Sequence, residues 1–364
     1  IQLLIMSGVS MRKPGLKKFL LKSGGKIAAN FYLLSTIHGP LITIQGADTV
    51  KTKKFISILA AAAVILCAFS GCSDKNSNNG GKFKVICTLF PQYDFVRVIA
   101  GDKVDLNLMT DPGINPHDYE PMSEELTQAK KADLFIYTGD CMETWVAKRM
   151  KTKSSNPDTI LDASAGITLN IDMAGQELAE QNNSGENIPL YDPHYWTLPL
   201  NAEKMVDTIT GKLCLLDSSN AAFYKANAAA YKLKLEALDA GFREAVKNGK
   251  RKNIVMADSF ALGYFVKEYG IGYMAAQNTC SPAAEPNEAV IARLEKAVTA
   301  NSAPVVFYRD LSDQKTAKTV SEKTGAQMLL FHSCENVTKQ EFKSGATYLS
   351  LMQQNLKNLK AALN

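Results

Sequence analysis

Apolar residues recur along this chain at helical spacing in some stretches and in short continuous runs in others. In residues 220–247 they fall three and four apart, at Tyr224, Ala228, Tyr231, Leu235, Leu238, Phe242 and Val246. That spacing lines one face of an α-helix. No proline interrupts the run, Asp217, Ser218, Ser219 and Asn220 offer capping oxygens before it, and Gly249 offers a stop. At about 1.5 Å per residue the predicted helix is about 40 Å long, the width of a domain. On each side of it, short apolar runs of strand length alternate with helical periods. The long helix therefore reads as a spine between two lobes.

In the first lobe strands are predicted over 84–89, 104–109, 134–138 and 159–161. A helix opens at Pro91 and ends before Gly101, and others cover 124–131 and 143–150. A helix over 202–216 leads into the spine. The second lobe reads as strands over 253–257, 273–277, 304–308 and 327–331, with helices over 262–269, 288–299, 315–324 and 348–363. Strand–helix alternation implies parallel sheets built from crossover units, an α/β fold. Ligands of such sheets gather at the carboxyl ends of the strands.

Charge changes the picture at the N-terminus. The formal net charge is +5, yet nine of the 41 Lys and Arg and one of the 36 acidic residues, Asp48, precede Cys72. Residues 72–364 therefore hold 32 basic and 35 acidic groups, a net of −3, which argues against a nucleic-acid surface. Lys51, Lys53 and Lys54 precede an apolar run from Phe55 to Phe69 and then Ser70-Gly71-Cys72. Basic residues, a short apolar segment and small residues at a cut site make a secretory signal. The run is short for a spanning helix, which needs about 20 residues. Cys72 after Ser-Gly resembles the bacterial lipobox, with Phe69 where that box usually has Leu; the resemblance implies that Cys72 is lipidated and opens the mature chain. Residues 1–49 are expected to be a gene-model artefact, with translation starting at Val50, which intact-mass measurement of unprocessed protein would test. The expected organisation is then a signal over 50–71, a flexible tether over 72–82, an N-terminal lobe over 83–200, connecting helices including the spine over 201–249, and a C-terminal lobe over 250–364.

Four histidines occur, and His38 lies in the doubtful leader. His117 stands in a stiff loop, Asn115-Pro116-His117-Asp118-Tyr119-Glu120-Pro121; His194 follows proline in Asp192-Pro193-His194-Tyr195-Trp196; His332 sits at the end of the last predicted strand. All three fall in loops or at strand ends, and imidazole is the commonest transition-metal ligand at neutral pH. Three imidazoles and one carboxylate would satisfy a four-coordinate zinc ion. Asp258 and Glu285, both in predicted carboxyl-end loops, are the carboxylate candidates. No HExxH, GxSxG, phosphate-loop or CxxC pattern is present, so catalysis has no local signature. Of the cysteines beyond Cys72, Cys280 and Cys334 both fall in predicted loops of the second lobe. A disulfide between them, a metal-facing thiol and plain buried thiols remain open.

These residues carry a resemblance. NPHDYEP (115–121), DPHYW (192–196), the spine, YFVKEYG (264–270) and GATYLSLMQQNLKNL (345–359) resemble the metal-binding lipoproteins of bacterial ABC importers for zinc and manganese. The likeness covers most of residues 83–364. It implies two lobes, each a four-stranded parallel sheet with flanking helices, joined by one rigid spine helix with one metal between them. His117 and His194 match the family's first two ligands. His332 follows Phe331 where the family usually places an acidic ligand after Leu. The third ligand departs: the family's His-Asp-Ala-Phe is Ala257-Asp258-Ser259-Phe260 here, which leaves Asp258 or Glu285 as substitutes.

The expectation is a monomeric receptor, not an enzyme, lipid-anchored on the outer face of the bacterial cell membrane. It captures a divalent transition metal and delivers it to an ABC permease. Zinc is favoured over manganese because three nitrogens are available, whereas manganese sites want more oxygen. Affinity should fall as pH drops through about 6.5, where imidazoles gain protons. The alternative is an exported zinc-dependent hydrolase, and a third reading is a surface adhesin with a structural metal.

Overall fold

Strands β1 (Phe83–Cys87), β2 (Val104–Leu108), β3 (Leu134–Tyr137) and β4 (Ile160–Asp162) form one parallel sheet in the order β2-β1-β3-β4. Strands β5 (Asn253–Ser259), β6 (Gly272–Gln277), β7 (Val305–Tyr308) and β8 (Gln327–Leu330) form a second, in the order β6-β5-β7-β8. The two sheets thus share one topology. The computed structural model describes residues 81–152, 156–172, 191–278 and 287–364, which lie in a single unit, Asn78–Asn364. Residues 1–80, with the signal, Cys72 and most of the tether, lie outside the described residues, as do Cys280 and Glu285.

The helices of the first lobe are α1 (Phe90–Ala100), α2 (Ser123–Lys130) and α3 (Trp145–Arg149); α4 (Pro199–Leu216) leads to the spine, α5 (Ala221–Asn248). The second lobe carries α6 (Gly263–Tyr269), α7 (Glu288–Ala300), α8 (Lys315–Thr324), α9 (Lys339–Lys343) and α10 (Tyr348–Leu363). The spine runs 28 residues, and every member of its apolar stripe is buried. That stripe belongs to one continuous core, which also takes Val85, Leu134 and Ile136 from the first sheet and Ile254, Met256 and Phe307 from the second. Cutting Phe242 back to alanine would cost about 3–5 kcal/mol, the usual range for a buried aromatic ring. The opposite faces of the sheets hold separate clusters, Ile86, Phe135 and Trp145 in one lobe and Val255, Val306 and Leu294 in the other. Strand alternation explains this division, since neighbouring side chains point to opposite faces.

Gly249 ends the spine as the sequence indicates, but its φ is −65°. Glycine is needed there for space: an added Cβ would lie 2.8 Å from the Cβ of Leu363. Gly241, in mid-spine, likewise lets α10 approach, with Leu356 Cδ2 2.7 Å from where a Cβ would sit.

Two local differences matter for the site. Helix α3 starts at Trp145 rather than at 143 because the buried Glu143 carboxylate turns inward to accept from the backbone N–H groups of Thr138 (3.1 Å) and Gly139 (3.2 Å). Strand β5 continues to Ser259, with an irregular register between Met256 and Ser259. Asp258 is therefore part of a strand, not of a loop. Among the described residues no helix is long and apolar enough to cross a membrane.

Candidate metal centre

His117 sits in a single helical turn, Pro116–Asp118, which follows β2 by a short loop. Proline opens the turn, and the Asn115 side chain accepts from the His117 backbone N–H (3.2 Å), so local chemistry sets the backbone. The loop is also sewn to the second lobe. Asn336 Nδ2 donates to the carbonyls of Asp111 and Ile114, each at 2.8 Å, and Gly113 N–H donates to the Val337 carbonyl at 2.8 Å.

His194 precedes the turn Tyr195–Thr197. Asp192 Oδ1 lies 2.7 Å from His194 Nδ1 and accepts the His194 backbone N–H at 3.0 Å. A carboxylate on Nδ1 holds the ring proton there and leaves the Nε2 lone pair to point outward. Tyr264 secures Asp192 by donating to its backbone carbonyl at 2.7 Å. Trp196 Nε1 donates to the Ser333 carbonyl at 2.9 Å, and the Tyr348 hydroxyl donates to the Trp196 carbonyl at 2.6 Å. Those bonds bind this segment to the second lobe.

The third member is Glu335, in the segment after β8. Cys334 precedes it with φ 59°, the left-handed region, so the chain turns sharply between His332 and Glu335. Asp310 holds the turn from below: its carboxylate accepts from the Ser333 N–H at 2.5 Å and the Ser333 hydroxyl at 3.0 Å.

His117, His194 and Glu335 each offer one ligand atom within 4.8 Å of the others, and they form the one such group of His, Cys, Asp and Glu among the described residues. The two Nε2 atoms are 3.3 Å apart. Glu335 Oε1 lies 2.6 Å from His117 Nε2 and 3.5 Å from His194 Nε2. All three side chains are nearly out of solvent, 13%, 1% and 2% exposed. Oε1 is buried between the two rings. Two ring nitrogens and a carboxylate oxygen converging at these separations suit a shared cation. A tetrahedral zinc ion with bonds of about 2.0–2.1 Å separates its ligand atoms by about 3.3 Å. Two of the three separations already match, and the His117–Glu335 pair would open by under 1 Å.

Burial would raise the Glu335 carboxyl, but the Arg309 guanidinium and His117 beside it hold it well below the ordinary range. Arg309 Nη2 donates to Glu335 Oε2 at 2.7 Å. The carboxylate is thus ionised and has one oxygen left for a cation.

The sequence reading is corrected at its third imidazole. His332 is buried at 2% exposure and stands outside the group. Its Nδ1 accepts the Cys334 N–H at 2.9 Å, and its Nε2 lies 3.6 Å from Glu341 Oε1. Asn355 on α10 clamps its backbone, accepting from the His332 N–H and donating to its carbonyl, each at 2.8 Å. This histidine braces the floor of the turn, and Glu335, three residues on, reaches the site. The resemblance itself placed an acidic ligand in this stretch, and that was the available signal. Asp258 is also outside the group: its carboxylate accepts from the backbone N–H groups of Ser259 (2.8 Å) and Arg309 (3.3 Å). Cys334 is a buried free thiol, and the suggested disulfide partner, Cys280, lies outside the described residues, as does Glu285.

Two parallel-sheet lobes on one spine, with two imidazoles and a carboxylate meeting where their loops join, define a two-lobed binding protein with a place for a transition-metal ion. Residues 85–362 match the family described as ZnuA, zinc-uptake complex component A, periplasmic, and the chain belongs to that family. It is 32% identical over 311 residues to the high-affinity zinc uptake system protein ZnuA of Bacillus subtilis, spanning 84% of this chain and 96% of that one. It is also 32% identical over 311 residues to the zinc-binding lipoprotein AdcA of Streptococcus pneumoniae, spanning 84% of this chain and 60% of AdcA. The crystal structure of the Zn(II)-bound ZnuA-like domain of AdcA superposes with a TM-score of 0.66 at 30% identity, covering 78% of this chain and 99% of that domain.

Proposed function

We propose that this protein is an extracytoplasmic solute-binding lipoprotein that captures a divalent transition metal between its lobes and delivers it to an ABC permease. Zinc is the favoured cargo, and His117 Nε2, His194 Nε2 and Glu335 Oε1 are its ligands. The observation that carries this reading is the convergence of those three atoms, drawn from both lobes, within 4.8 Å. Membership of the zinc-uptake family and the zinc-binding names of its relatives support it. Two nitrogens and one oxygen favour zinc over manganese, which prefers more oxygen ligands. A fourth position is left for Glu285 or for water. The family and its relatives speak for uptake, and nothing among them speaks for the hydrolase alternative.

Residues 50–71 act as the export signal and Cys72 as the lipid anchor, with 72–82 as the tether. The long shared core along the spine resists hinge bending, so release proceeds through small lobe shifts or loop motion.

Elemental analysis of the soluble part, from Ser73 onward, tests the reading. One zinc per chain is expected, lost in His117→Ala and in Glu335→Ala but kept in His332→Ala. Zinc retained in Glu335→Ala at full stoichiometry and affinity would remove that residue from the ligand set.

A further inference from the structure

Arg309 follows β7 directly and is 11% exposed at its side chain. Hydrogen bonds to both β5 and Glu335 place it. Its backbone N–H donates to Asp258 Oδ2 at 3.3 Å, its Nη1 donates to the Ser259 hydroxyl at 2.7 Å, and its Nη2 donates to Glu335 Oε2 at 2.7 Å. Asp258 and Ser259 end β5, the strand beside β7, so the sheet itself sets the distance between anchor and arginine. In effect the guanidinium bridges from the end of β5 to the metal-facing carboxylate.

We infer that Arg309 is a specificity-determining positioning residue: by occupying Glu335 Oε2 it forces the carboxylate to bind metal through Oε1 alone. The inference rests on the metal site proposed above. A carboxylate with both oxygens available can chelate, raising both the oxygen count and the coordination number. Manganese gains from that change, whereas zinc is satisfied by four ligands. The arginine fork suits this task better than an ammonium would, because its planar N–H groups engage Ser259 and Glu335 at once. Asp258 and Ser259 thereby serve the site indirectly, as the anchors of the arginine and not as ligands.

The experiment compares the wild type with Arg309→Met, Arg309→Lys and Ser259→Ala. Affinities for Zn2+ and Mn2+ are measured by competition titration with the metals alone, and the visible absorption is recorded for the Co2+-loaded proteins. Four-coordinate cobalt absorbs strongly and six-coordinate cobalt weakly, so the spectrum reads coordination number and does not respond to stability. Arg309→Met is expected to raise the Mn2+-to-Zn2+ affinity ratio about tenfold, the lower end of what outer-shell changes do, and to weaken the cobalt band. Arg309→Lys should fall between it and the wild type, and Ser259→Ala should shift the same way by less. A change of affinity common to both metals, with ratio and cobalt spectrum unmoved, would overturn the inference. If Arg309→Met does not fold, the lysine and alanine variants carry the same comparison. Failure of the wild type to bind Zn2+ at all would instead overturn the proposed site.

Discussion

The two lobes hold their converging groups by different means. His117 and His194 have a local element that Glu335 lacks: each follows a proline at a helical turn, and each backbone N–H is capped by a side chain two residues back, Asn115 or Asp192, while long-range bonds tie both loops to the second lobe as well. Glu335 is set from a distance. Arg309, Asp310 through Ser333, and Asn336 hold its segment, reaching residues 26, 23 and more than 200 positions away. Local fixing leaves a signature in sequence, whereas long-range fixing needs the folded sheet. The same contrast separates His117 from His332. Both lie beyond the carboxyl end of a strand, but His117 converges with the other two side chains and His332 packs beneath them.

The largest effect should come from exchanging those roles. His194→Ala is expected to lose about a thousandfold in zinc affinity, the order of one ligand's share of a strong site. His332→Ala should hold zinc at full stoichiometry while losing about 2–4 kcal/mol of stability from its buried position. Isothermal titration and denaturant unfolding measure the two. A zinc affinity that collapses equally in both variants would erase the distinction.

Next comes the local support. Asp192→Asn should weaken zinc about 10–100-fold, because the ring loses the partner that fixes its tautomer. Titration at constant pH checks it, and circular dichroism should find the fold intact. Then follows the suture between the lobes. Asn336→Ala removes two bonds to backbone carbonyls, so about 2 kcal/mol of stability and roughly tenfold in zinc affinity should be lost together. Unfolding and titration on one sample would show whether the two losses travel as a pair.

The smallest effect on zinc, none at all, concerns the N-terminal lobe alone. Burial pushes the Glu143 carboxyl up to about 7, despite donors at Thr88, Thr138 and Gly139 that favour its charged form. The folded chain then keeps a proton that the unfolded chain releases near the ordinary carboxyl value of about 4.3. Its contribution is fully present below about pH 4.3 and is lost as pH rises toward about 7, by about 4 kcal/mol at the upper limit. Glu143→Gln should flatten that part of the stability profile and leave zinc binding unchanged. A profile with the same slope in both proteins would show that Glu143 does not titrate there.

Much of this protein was legible from residue order. The spine was written in its stripe from Tyr224 to Val246 and bounded within a residue of its observed ends, Ala221 and Asn248. The eight strands of the described residues, the two lobes and two of the three converging side chains followed from short apolar runs alternating with helical spacing, from proline-stiffened loops and from the resemblance that those loops carry. These are short-range properties, because hydrogen bonds along a helix, caps and turns join neighbours in the chain.

Only the tertiary structure decided which group of the His332–Asn336 segment faces the site. His332 looked like the ligand because imidazole is the better-known donor. The choice was made by Asn355 on α10 clamping the histidine backbone, by the left-handed turn at Cys334 and by Arg309 drawing the Glu335 carboxylate into place. Likewise Asp258 reads as a loop acid until β5 is seen to extend through it and to spend its oxygens on backbone N–H groups. A side chain's chemistry is fixed by its type, but its partners are fixed by packing between segments far apart in the chain.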